Sequence, residues 1–217
     1  MMRNFYKGLI LIAFTLSSSF SFGQTVSKAY IAPGSTTIDG VGNFGTALPG
    51  VTFNSADFTD GCVISDVDVT ISWAKTDGTC TSPGNGASFH GETSFQINGP
   101  TGTEVLAQPG TWSGNATIST VVTTFSDGGG NPSGTPVSGV FDPNNGVLAN
   151  YNGTSPFGTW NLDAGDNGIG DPLCLNFYEV TITTAADNTD PVLSVPANIS
   201  VNADPGQCTS TVTWTTP

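Results

Sequence analysis

From residue 24 onward the chain holds no stretch with a helical period sustained over three turns. Short runs of alternating apolar and polar residues recur instead, bounded by clusters of Gly, Pro, Asn, Asp and Ser. Alternation with period two is the mark of a half-buried strand, because successive side chains point to opposite faces of a sheet. Such runs fall around 51–53, 63–73, 93–98, 103–107, 117–125, 147–151, 159–162, 173–183 and 192–201. The turns between them draw on 28 glycines and 14 prolines. Many short strands at this spacing predict an all-β sandwich or jelly roll. The candidate core is Phe53, Val67, Val69, Ile71, Trp73, Phe95, Ile97, Val122, Trp160, Leu162, Phe177 and Val180. Two Gly-rich connections, 74–91 and 126–138, read as long loops.

Residues 1–23 read as an export signal. Arg3 and Lys7 precede the apolar run Leu9–Leu16, and Ser21-Phe-Gly23 supplies small residues before Gln24. The run is too short to span a bilayer comfortably, so no membrane insertion is expected after cleavage; the alternative is an uncleaved N-terminal anchor. An exported chain is secreted or held at the cell surface, where Cys62, Cys80, Cys174 and Cys208 favour disulfides over zinc. After cleavage Lys28 and Lys75 are the only strong bases against 17 acids. That balance argues against nucleic acid and against an anionic membrane surface as partners.

An acidic, Gly-rich stretch lies between the runs 159–162 and 173–183, where Asp163, Asp166 and Asp171 stand among Gly165, Gly168 and Gly170. Solvation in an exposed loop keeps all three ionised rather than splitting their pKa values, which disfavours a paired-carboxylate glycosidase. A serine hydrolase is disfavoured too. The lone histidine, His90, stands in a Gly-rich stretch, and no Gly-x-Ser-x-Gly elbow is present. Three carboxylates on a glycine loop suit a hard cation with oxygen ligands; the alternative is a solvated acidic turn.

Several motifs occur in an order that resembles the proprotein-convertase P domain (P/Homo B). They are Val63–Trp73, then Glu92–Thr103 ending in Gly-Pro-Thr-Gly-Thr, then Gly139-Val-Phe-Asp-Pro143. Gly158-Thr-Trp-Asn-Leu162 and the Asp/Gly loop close the series. The resemblance implies a jelly-roll, galactose-binding-like β-sandwich over 24–186. It also implies a calcium site from Glu92, Asp163, Asp166 and Asp171, with Glu92 standing where the family more often has Asp. It places the last strand antiparallel to 63–73, so that Cys174 opens it beside the loop holding Cys80. A Cys80–Cys174 disulfide follows, leaving Cys62 unpaired. Residues 187–217 (Asp190-Pro-Val, Pro196-Ala-Asn-Ile, Gly206-Gln-Cys, Val212-Thr-Trp) resemble the opening of a HYR domain, although Val195 stands where a cysteine is common. Those residues are too few to close an immunoglobulin-like sandwich of about 100 residues; they are expected to be the first strands of a truncated domain, the alternative being a short tail that pairs on the first sandwich.

These features together imply a non-catalytic, calcium-stabilised β-sandwich module of a larger secreted or surface adhesion-type protein, binding a protein or glycan ligand. The alternatives are the accessory P domain of a subtilisin-like protease, whose catalytic domain is not in this chain, and a carbohydrate-binding module. Tyr151 and Tyr178 are the only evident aromatic platform residues, and packing suits both better than stacking on sugars.

Overall fold

A computed structural model describes residues 23–58 and 63–186. Residues 1–22, Cys62 and the 187–217 segment with Cys208 lie outside the described residues. The chain divides after Asp187 into two units, and the first holds all the described residues.

That unit is an all-β sandwich. One sheet is ordered β1 (Thr25–Ile38), β12 (Leu173–Thr184), β4 (Ile64–Lys75), β9 (Val121–Gly130) and β10 (Gly139–Phe141). The other is ordered β2 (Gly42–Ala47), β11 (Gly158–Asp166), β7 (Thr93–Gly99) and β8 (Gly102–Ala107), with β3 (Val51–Phe53) pairing the start of β11. A small hairpin, β5 (Gly78–Thr79) and β6 (Ser82–Pro83), stands apart. All pairings are antiparallel except β9 with β10. Among the described residues no helix is long and apolar enough to cross a membrane.

Alternation sets the core. In β4 the side chains of Val67, Val69, Ile71 and Trp73 point inward; in β11 Trp160, Leu162 and Ala164 do, and in β7 Phe95 and Ile97. Apolar faces of the two sheets therefore meet, and aromatic rings lock them at tilted or edge-on angles that aromatic quadrupoles favour. Trp73 sits 5.5 Å from Phe95 and 4.9 Å from Trp112, and Tyr151 sits 4.6 Å from Trp160.

Four sequence expectations shift for local reasons. In β12 the register slips between Leu175 and Phe177. The extra residue, Asn176, makes a bulge that inverts the alternation, so Tyr178, Val180 and Ile182 turn inward while Phe177 stays half-buried outside. In β9 Val121, Thr123 and Phe125 face the core, which leaves Val122 exposed, and the strand runs on to Gly130 through the first five residues of the expected 126–138 loop. Residues Leu148–Tyr151 form a 3-10 turn rather than a strand, burying Leu148 and Tyr151 three positions apart on one side. The 14-residue β1 is an edge strand in which Pro33-Gly34 interrupts the pairing between Ile31 and Thr36, where a missing N–H is tolerated.

Cys174 pairs with Ala74 in the antiparallel β4–β12 ladder, and Cys80 lies just beyond β4. The Cys80–Cys174 disulfide forms there with a Cα separation of 5.4 Å, within the usual span. It closes a loop between residues 94 apart in sequence. A Cys80→Ser/Cys174→Ser variant is expected to lose roughly 2–5 kcal/mol of stability, read from urea unfolding with the oxidised protein as reference. An unchanged urea midpoint would show that the bridge constrains nothing.

Candidate functional site

Two inward rows of the sandwich end in charge. The β4 row 67-69-71-73 continues to Lys75, and the β11 row 160-162-164 continues to Asp166. Both residues are fully buried, at 0% exposure. The two strands belong to opposite sheets, so the ammonium and the carboxylate meet across the sandwich, with Lys75 Nζ 2.8 Å from Asp166 Oδ2.

Other segments complete the cluster. Asp171, in the connection before β12, presents Oδ2 at 3.1 Å from Lys75 Nζ and also accepts a hydrogen bond from Nζ at its backbone carbonyl. Glu92, in the 3-10 turn His90–Glu92 before β7, places Oε2 at 3.5 Å and leaves 29% of its side chain exposed. Backbone donors hold the acids in place. Asp166 accepts the N–H of Leu173 at 3.0 Å and of Gly168 at 3.3 Å, and Asp171 Oδ2 accepts the N–H of Phe89 at 2.6 Å. Gly168 packs closely on the Glu92 carboxylate, and a Cβ there would fall 2.2 Å from Oε2, so a larger residue would push the Glu92 side chain aside.

The sequence-predicted set is thus divided. Glu92, Asp166 and Asp171 come together, but around Lys75 rather than in a solvated loop, because β11 extends to Asp166 and carries it inside. Asp163 faces the opposite way. Its Oδ2 accepts hydrogen bonds from Gln96 Nε2 and Asn98 Nδ2, both at 2.8 Å, on the outer face of β7 and β11. Among the described residues no group of three or more His, Cys, Asp or Glu is arranged to hold a metal ion. Lys75 was not among the candidates, although its position continues the alternation of β4.

Burial pushes the Asp166 carboxyl above its ordinary value, and Lys75 works against that shift. Glu92 is raised as well, by burial first and then by the charge of Asp171, with Lys75 opposing. One ammonium faces three carboxylates, so Glu92, the outermost, carries uncompensated repulsion.

The other ionisable and aromatic candidates serve the fold. His90 is buried, its Nδ1 lying 3.0 Å from the Ser113 carbonyl and its Nε2 2.7 Å from that of Ala116. The Tyr151 hydroxyl donates to the carbonyls of Gly102 and Ile97, and that of Tyr178 to those of Pro49 and Trp160. Burial pushes both phenols up to about 12, and neither ring is free to stack on a sugar. A cavity of about 320 Å³ beside the disulfide is lined by Ser35, Thr76, Ser119, Thr120 and Asn176 and carries no ionisable side chain.

Fold and site together define a two-sheet sandwich whose buried charges are spent on joining its sheets. No protein-family model matches the chain, and no curated protein matches it.

Removing one partner of a buried ion pair strands the other charge, at about 3–5 kcal/mol. Lys75→Met is expected to fall in that range. Lys75→Met/Asp166→Leu is expected to lose less than the sum of the single variants in urea unfolding; strict additivity would mean that the two groups do not interact. Glu92→Gln is expected to act in the opposite direction. A raised folded-state pKa means that the folded protein holds the Glu92 proton more tightly than the unfolded chain. Its stabilisation is present below the ordinary glutamate pKa and is lost as pH rises through the folded value. Glu92→Gln should therefore melt above wild type at neutral pH and level with it in acid. A variant that melts lower at neutral pH would contradict this sign.

Proposed function

We propose that the chain contributes a non-catalytic, exported β-sandwich module to a secreted or cell-surface protein of adhesion type. The observation that carries this is the fate of its buried ionisable groups. Lys75, Asp166, Asp171 and His90 are each engaged by hydrogen bonds within the module, and general acid–base or nucleophilic chemistry needs such groups free to meet a substrate. The export-like leader, the disulfide and the resemblance of 24–186 to a P domain and of 187–217 to a HYR domain support the same reading. A chain of this kind works by presenting a rigid surface to a partner.

Glycan recognition is a second reading, favoured by one surface. Gln96, Asn98 and Asp163 form a hydrogen-bonded row on the outer face of β7 and β11, extended by Thr103 Oγ1 donating to Asn98 Oδ1 at 2.7 Å. Ordered amide and carboxylate groups on an outer sheet face are the donors and acceptors that sugar hydroxyls use, and Asp163 joins Gln96 and Asn98 in the row.

The test uses the full chain expressed with its leader. The exported product is expected to begin at Gln24, to carry the Cys80–Cys174 bridge, and to turn over no peptide, ester or glycoside substrate. Turnover abolished by Glu92→Gln, or a product kept in the cytoplasm with Met1 intact, would contradict the proposal. A glycan array separates the second reading, since Asp163→Ala should abolish any sugar binding while leaving the melting point of the core near wild type.

A further inference from the structure

The calcium that the P-domain resemblance implies can be tested against the side chains present. The donor chemistry suits a hard cation: Asp166 Oδ2, Asp171 Oδ2 and Glu92 Oε2 lie within 3.5 Å of one point, joined by the carbonyl of Asp171. Mixed carboxylate and carbonyl oxygen is what calcium takes. The point they surround is nonetheless Lys75 Nζ, fully buried and bonded to them. A divalent ion and an ammonium cannot stand at one point, and two like charges at ion-pair distance in a buried site repel strongly. With Lys75 in place, the group does not fit calcium.

We infer that Lys75 is the resident cation of this oxygen-lined site, a covalently attached substitute that spares the module a metal, and that removing its ammonium uncovers a calcium site. An independent observation supports the identity of the site. Thr93 Oγ1 is buried, at 0% exposure, and finds no hydrogen-bond partner among the described residues. Thr93 stands directly opposite Asp166 in the β7–β11 ladder and on the same inward row as Phe95 and Ile97. Buried hydroxyls are seldom left unpaired. An ammonium has three protons to donate, and Asp166, the Asp171 carboxylate and the Asp171 carbonyl engage them. Calcium takes six to eight oxygens and has room for one more. The surplus of negative charge tells the same story: three carboxylates exceed what one ammonium neutralises and come closer to balancing a divalent ion.

The inference is separable from the proposed function, because it concerns a cation rather than a partner. Full-length oxidised wild type, Lys75→Ala and Lys75→Ala/Asp166→Asn are melted in millimolar calcium and in chelator, and titrated with calcium by calorimetry. Wild type is expected to melt at one temperature in both and to bind no calcium through this cluster. Lys75→Ala is expected to melt lower in chelator, to regain several degrees with calcium, and to bind one ion. The Asp166→Asn double variant should lose that response. If Lys75→Ala is unfolded in chelator, folding on addition of calcium, followed by circular dichroism, is the equivalent positive result. Three outcomes overturn the inference: a calcium-dependent midpoint in wild type that Asp166→Asn abolishes, a folded Lys75→Ala that binds no calcium, or a Lys75→Ala that calcium cannot fold.

Discussion

The sandwich closes at one end on a single buried ammonium. Lys75 comes from one sheet, Asp166 from the other, and Asp171 and Glu92 from the connections that cap that end. Taking a lysine and an aspartate fully out of water is expensive, and their attraction offsets the penalty only when every proton and lone pair is used. Here the Lys75 ammonium meets Asp166 together with the carboxylate and the backbone carbonyl of Asp171, and backbone N–H groups of Leu173, Gly168 and Phe89 donate to the two aspartates. A network satisfied to this degree defines one geometry rather than merely adding stability. It fixes where β4 and β11 stop, how the 167–172 connection folds, and where β12 begins.

The rest of the fold follows from that closure. Because β12 starts against the end of β4, Cys174 lies next to the segment carrying Cys80, and the disulfide forms without a backbone detour. The ion cluster and the bridge thus brace the same end, one across the sheets and one beside them. At the middle, Trp73, Phe95 and Trp112 fill the space between sheets. Further along, Tyr151 and Trp160 pack beneath Gly99, where a side chain would collide with both rings.

Much of this was legible in the sequence, and the exceptions have physical causes. Strict alternation from Val67 to Trp73 marked β4 and its inward face, and Phe95 and Ile97 did the same for β7. The inversion in β12 was hidden because a bulge leaves no compositional trace; Asn176 reads like any polar strand residue. Strand β1 escaped notice because an edge strand needs only one weakly apolar face, and Ser27, Lys28, Ala29 and Tyr30 do not advertise one. Sequence spacing groups the acids but gives no sign of their burial, and it does not single out Lys75. Its partners lie 17, 91 and 96 residues away, and periodicity along one strand carries no information about charge delivered from another sheet. One signal was present: extending the inward row of β4 by two residues reaches Lys75, and extending that of β11 reaches Asp166.

The buried Lys75, Asp166 and Asp171 are committed to the interior and joined to one another there. The central claim is that the Lys75 ammonium is enclosed by its carboxylates and shielded from solvent. Side-chain nitrogen NMR on lysine-labelled full-length protein tests it most directly, with Lys7→Arg and Lys28→Arg variants assigning the signals of the other two lysines. The expected result is a Lys75 ammonium signal whose protons exchange slowly with water and show cross-relaxation to the side chains around Asp166. Lys75 protons that exchange as fast as those of Lys28 would contradict the account.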